Sequence, residues 1–122
     1  MSIFYDHKPD KAIYIAGPMT GYPEFNFPTF FAAEEVLRGY GWEYIFNPAR
    51  FDENNGFEWQ GLTGQESLST FGMSMRELLE HDLTWICRYA THMALLSGWE
   101  NSRGARVEFA LSEALGLEYV FV

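Results

Sequence analysis

Four short apolar runs divide this chain, and the stretches between them are long enough to hold helices. The first, residues 12–16 (Ala-Ile-Tyr-Ile-Ala), shows no charged residue, so it reads as a strand buried on both faces and ended by Gly17-Pro18. Residues 43–46, 92–96 and 118–122 supply the other three. A helix is expected to begin near Phe27, with Pro28 in its first turn and Gly39 and Gly41 closing it. Ser74-Met75-Arg76-Glu77 has the spacing of a capping box and starts a second helix that runs to about Arg88. A third is expected over residues 103–115, stopped by Gly116 as its C′ residue. Strands that alternate with helices in this way need right-handed crossovers and pair in parallel. The expected fold is a single α/β domain over residues 1–122. Its architecture would be a flavodoxin-like or Rossmann-like three-layer sandwich with a four- to five-stranded parallel sheet.

Two segments fall outside that alternation. Residues 1–10 are polar and read as a short N-terminal arm. Residues 47–73 carry Pro48, paired asparagines, several glycines and the aromatics Phe57 and Trp59, and are expected to form a long loop or lid. Composition narrows the function. With 122 residues, 48% of them hydrophobic, the chain can bury one substantial core. A formal charge of -9 argues against DNA, RNA or an anionic membrane surface as partner. It leaves room for a small nucleotide, because helix dipoles and one or two arginines can offset a phosphate. The lone Cys87 excludes an intrachain disulfide framework and, with no apolar run of membrane-spanning length, points to a cytoplasmic protein.

In parallel sheets ligands bind beyond the carboxyl ends of the strands, which directs attention to residues 17–26 and 97–102. Asp82 stands out near them. It interrupts an apolar helix face made by Leu78, Leu79, Leu83 and Ile86, and a carboxylate there needs a partner or a function. A buried aspartate that caps a neighbouring loop is the plainer alternative. Glu108 lies in the second turn of the next helix, beside its core face. Before it, Gly98-Trp99-Glu100-Asn101-Ser102-Arg103-Gly104 joins a buried strand to a helix N-terminus through small residues that let a ligand approach. Gly17-Pro18-Met19-Thr20-Gly21 fits neither a dinucleotide fingerprint nor a P-loop. Tyr14 is either a core tyrosine or one that places its hydroxyl near the site. His7, His81 and His92 lack metal-ligand spacing, and Cys87 reads as a packing thiol. Tyr22, Phe25, Phe27, Phe57 and Trp59 could stack on a base or fill a core.

Three segments taken together resemble the nucleoside 2-deoxyribosyltransferase-like family: Tyr14-Ile15-Ala16-Gly17, His81-Asp82-Leu83-Thr84-Trp85-Ile86, and Ser102-Arg103-Gly104-Ala105-Arg106-Val107-Glu108. With Gly17-Pro18-Met19-Thr20-Gly21 and Gly98-Trp99-Glu100, the chain is similar to a branch common in phages and prophages. The resemblance implies Glu108 as nucleophile, Asp82 as the helix aspartate of the site, and Tyr14 as the residue that orients the nucleophile. Ser102, where nucleoside-transferring members carry an aspartate, makes the chain similar to the 2′-deoxynucleoside 5′-monophosphate N-hydrolases. A serine at a helix start can donate to a 5′-phosphate that an aspartate would repel. The chain departs from those hydrolases at Thr20, in place of an arginine that Arg50 or Arg103 would have to replace, and at Asn47, in place of a histidine.

The implied activity is cleavage of an N-glycosidic bond in a (deoxy)nucleoside 5′-monophosphate, releasing the free base with no metal or cofactor. Catalysis would fall to Glu108, Asp82 and Tyr14. Gly17, Pro18, Met19, Thr20, Gly21, Asn47, Gly98, Trp99, Ser102 and Gly104 would bind the substrate. The partners implied are a small nucleotide and further copies of the chain, as homodimer or homotetramer. Deoxyribosyl transfer between bases and a non-catalytic nucleotide-binding module, a sensor or sequestering protein, are the alternatives.

Overall fold

The computed structural model describes residues 5–122 and arranges them in three layers around a four-stranded sheet. Strands β1 (Ile13–Ala16), β2 (Ile45–Phe46), β3 (His92–Leu95) and β4 (Glu118–Phe121) are all parallel and stand in the order β2-β1-β3-β4. From β1 the chain first adds β2 on one side, then crosses to add β3 on the other. That reversal opens a crevice beyond the carboxyl ends of β1 and β3. In register, Ala16 pairs with Leu95, so the two strands end together at the floor of that crevice.

The two-residue period of β1 decides which layer each side chain joins. Ile13 and Ile15 face helix α1 (Phe27–Gly39), where they pack with Phe27, Phe30 and Leu37. Tyr14 and Ala16 face the other way, toward α3 (Met75–Tyr89) and α4 (Arg103–Leu115), among Trp85, Ile86 and Ala105. Each large side chain buried this way contributes about 1.5–3 kcal/mol relative to exposure. Strand β1 is therefore the shared wall of two cores, as its uninterrupted apolar sequence requires.

Helix boundaries follow local signals closely. The Ser74 Oγ accepts the Glu77 backbone N–H at 3.2 Å and donates to the Glu77 carboxylate at 3.0 Å, a variant of the capping box. Ser102 caps α4, and the helix stops at Gly116. Strand β2 is shorter than expected, since Glu43 and Tyr44 precede the paired residues. Of the polar arm, residues 1–4 lie outside the described residues, while the Tyr5 N–H donates to the Tyr89 hydroxyl at 2.9 Å.

The segment 47–73 differs from the expected loop. It begins with helix α2 (Pro48–Asn54), which starts as Asn47 Oδ1 accepts the Ala49 N–H at 3.0 Å with Pro48 in the first turn. The remainder is docked rather than open. Gly21 N–H donates to the Gly64 carbonyl at 2.8 Å, and Glu24 N–H to the Leu62 carbonyl at 2.8 Å. Phe57, Trp59 and Phe71 bury part of their surface against the α1-side core. Gly64 makes the docking possible: its φ is +87°, and a Cβ there would fall 1.9 Å from the Tyr22 carbonyl oxygen.

The partner of this seam is unusual. Glu24, Phe25 and Asn26 hold φ values of 56°, 53° and 64°, a left-handed turn built without glycine. Such backbone costs on the order of 1 kcal/mol per residue. Burial of Phe25 and the Asn26 Nδ2 bond to the Pro18 carbonyl at 2.9 Å offset it. No helix among the described residues is long and apolar enough to cross a membrane.

Candidate active site

Tyr14, Asp82 and Glu108 converge from three elements on the crevice. Tyr14 arrives from β1 because the strand's alternation turns it toward α3 and α4. Glu108 shares the buried face of α4 with Ala105 and Ser112, at i−3 and i+4. Asp82 lies three and four residues before Trp85 and Ile86, which anchor α3 to the core. The Tyr14 hydroxyl donates to Glu108 Oε2 at 2.7 Å. Asp82 stands close enough to interact through hydrogen bonding with both Tyr14 and Glu108.

Burial sets the electrostatics. It pushes the Glu108 carboxyl well above its ordinary range, and the charge of Asp82 adds to the rise, while the Tyr14 hydrogen bond works against it. Burial also pushes Asp82 up to about 7, offset in part by its contacts with Tyr14 and Glu108. The pair thus retains a proton near neutral pH, which belongs to both groups together. Burial first, and then the two acids, hold the Tyr14 hydroxyl protonated and able to donate.

A cleft of about 740 Å³, partly continuous with solvent, surrounds these groups. Of the expected site residues it is lined by Tyr14, Gly17, Met19, Thr20, Asp82, Ser102, Gly104 and Glu108. Gly17 sits so close to Leu96 that a Cβ would come within 2.7 Å of that side chain, which keeps the floor low. Ser102 Oγ accepts the Ala105 N–H at 3.2 Å and keeps its own hydrogen for a ligand. Beside it, Arg103, Arg106, Met19 and Thr20 line an adjoining recess.

Five expected ligands stand elsewhere. Asn47 is buried away from the cleft: its Nδ2 donates to the Phe30 carbonyl at 3.2 Å and to Glu34 Oε1 at 3.0 Å, and its oxygen caps α2. Pro18 and Gly21 are engaged by Asn26 and Gly64 in the loop seam. Gly98 packs on Tyr22, whose hydroxyl would lie 2.6 Å from an added Cβ. Trp99 stacks on Phe109 at 4.4 Å. Arg50 is committed too, to Glu34 at 3.2 Å and over the Phe31 ring. Of the aromatics considered for stacking, Phe25, Phe27 and Phe57 reach the cleft.

One acid in the cleft escaped the sequence reading. Asp52, on α2, lines it one helical turn beyond Pro48, and burial and then the neighbouring charge of Asp82 push its carboxyl up to about 7. Asn47-Pro48, a capping residue before an N1 proline, was the available signal that a helix would carry it there.

No curated protein and no solved structure matches this chain. Residues 11–121 do match a family, and the chain belongs to it: the family described as Domain of unknown function (DUF4406), grouped with the nucleoside 2-deoxyribosyltransferase-like proteins.

Proposed function

We propose that this protein cleaves the N-glycosidic bond of a 2′-deoxynucleoside 5′-monophosphate through Glu108. The observation that carries the reading is the 2.7 Å bond from the Tyr14 hydroxyl to Glu108 Oε2 at the base of a cleft, with Asp82 beside it. Tyr14 leaves the second Glu108 oxygen to face the sugar, and its donated hydrogen bond favours charge on that carboxylate. Glu108 attacks the anomeric carbon as the C1′–N bond breaks, and the bonding pair leaves with the base. Asp82 supplies the shared proton to the departing nitrogen, the task for which a carboxyl raised to about 7 is suited. The oxocarbenium-like transition state is itself cationic, so it draws ionisation onto Glu108 as the bond stretches. Water then attacks the glycosyl-enzyme, returns a proton to Asp82 and frees the sugar phosphate. A second base in place of water would give transfer instead.

The 5′-phosphate fits the start of α4, where Ser102 and the backbone N–H groups point outward and Arg103 and Arg106 border the recess. A homodimer or homotetramer accompanies this reading, since Met75 at the cleft and Val107 on α4 leave apolar surface exposed. Incubation with each deoxynucleoside monophosphate, followed by chromatography for free base, tests the activity. No release by the wild type, or equal release by Glu108→Ala, rules it out.

A further inference from the structure

We propose that Asp52 reads the leaving base by pairing with its hydrogen-bonding edge across the cleft. The inference rests on the glycosidic reading above and names the base-recognising residue of that same site.

The polar groups of the cleft divide by position. Thr20 and Ser102 stand at the end where the phosphate fits, and Tyr14, Asp82 and Glu108 surround the anomeric carbon. With the sugar held at Glu108 and the phosphate at the start of α4, the base must extend toward the opposite wall. That wall is apolar through Phe27, Phe57, Met73 and Leu78, and Asp52 interrupts it. Such a lining, with one placed polar group, is how sites hold and orient a flat heterocycle.

Asp52 is also left available. Its carboxyl makes no hydrogen bond or ion pair among the described residues. The nearby donors go elsewhere: Arg50 binds Glu34 and Glu53, and Trp59 Nε1 donates to Glu53 Oε2 at 2.8 Å. The cap at Asn47 and the Arg50–Glu34 bridge fasten α2 to α1, so the carboxyl is presented from a held helix.

The chemistry suits the edge of a base. A carboxyl accepts from an exocyclic amino group in either protonation state. Protonated, it donates to the adjacent ring nitrogen of adenine or cytosine; ionised, it accepts both N–H groups of guanine. Thymine and uracil set one N–H beside a carbonyl, and a protonated carboxyl accepts the first and donates to the second, so each base offers Asp52 a two-bond edge. Loss of such a paired edge lowers binding by about tenfold or more.

The test is calorimetric titration of Glu108→Gln, which keeps an acceptor for Tyr14 but cannot turn over, with dAMP, dCMP, dGMP, dTMP and dUMP. The expected result is that the nucleotides bind at least about tenfold more tightly than 2-deoxyribose 5-phosphate. Adding Asp52→Leu, which removes both hydrogen bonds and keeps the wall filled, should weaken the nucleotides about tenfold. Binding of 2-deoxyribose 5-phosphate, which has no base, should stay unchanged and reports that the site is intact. Nucleotide binding that Asp52→Leu leaves unmoved overturns the Asp52 assignment alone. Failure of any mononucleotide to bind or be cleaved overturns the glycosidic reading with it.

Discussion

The Tyr14 hydroxyl donates to Glu108 Oε2 across 2.7 Å, linking the central strand to the second turn of the fold's last helix. The bond fixes one oxygen of a buried carboxyl that lines the cleft. It also resists the burial that pushes Glu108 toward its protonated form.

Tyr14→Phe therefore removes a donor without removing the ring that stacks on Phe46. Loss of one charge-assisted hydrogen bond to a reacting group costs about 2–3 kcal/mol, or roughly 30- to 150-fold in kcat. The sign of the pH effect is fixed: the hydrogen bond lowers the Glu108 pKa, so its loss raises that pKa. The acid limb of the kcat/KM profile should move to higher pH. A profile that falls in amplitude without shifting would separate a structural role from an electrostatic one.

Much of this site was legible because its residues announce themselves by interruption or by capping. Asp82 breaks an apolar helix face, Ser102 precedes a helix whose end at Gly116 is equally plain, and β1 is apolar throughout. Helix α2 shows only its Asn47-Pro48 start in the sequence, because seven residues offer only Pro48 and Ala49 as buried positions and no period to detect. Its stability comes from Asn47 and from Arg50 bound to a glutamate 16 residues away. Asp52 was hidden with it. The left-handed turn at Glu24–Phe25–Asn26 left no trace either, since glycine is the usual mark of positive φ and none is present there.

Asn47 illustrates how a plausible ligand becomes a structural residue. Its side chain makes four contacts at 3.0–3.4 Å, joining β2 to α1 and starting α2. Asn47→Ala loses a helix cap and leaves buried Glu34 short of a donor, a cost of about 2–3 kcal/mol. Urea denaturation should show that loss in the midpoint. A variant with wild-type stability but a raised KM would restore Asn47 to the substrate.

The seam between the first loop and the lid has a comparable weak point. Gly64→Ala places a methyl group on the Tyr22 carbonyl in a backbone region that L residues avoid. The expected loss is about 3 kcal/mol, combining strain and overpacking. Because Phe57, Leu68 and Met73 bring lid residues to the cleft, KM should rise more than kcat falls. Steady-state kinetics well below the melting temperature would check it.

Asp82 connects catalysis to stability through pH. Burial raises its pKa from 3.8 to about 7, so between those values the folded chain binds more protons than the unfolded one. Its contribution to stability is then fully present below the unfolded pKa and is lost as pH rises through the folded one. Asp82→Asn removes that dependence. The variant should unfold at higher denaturant concentration than the wild type at pH 8, by on the order of 1–3 kcal/mol, with little gain at pH 4. Its glycosidic activity should nevertheless drop about 10²- to 10⁴-fold, the usual contribution of a general acid. A variant more stable at pH 8 and nearly inactive would mark Asp82 as an acid held in the cleft at the expense of stability. Equal pH dependence in both proteins would mean that Asp82 is ionised in the fold, and the proton assigned to it would have to come from elsewhere.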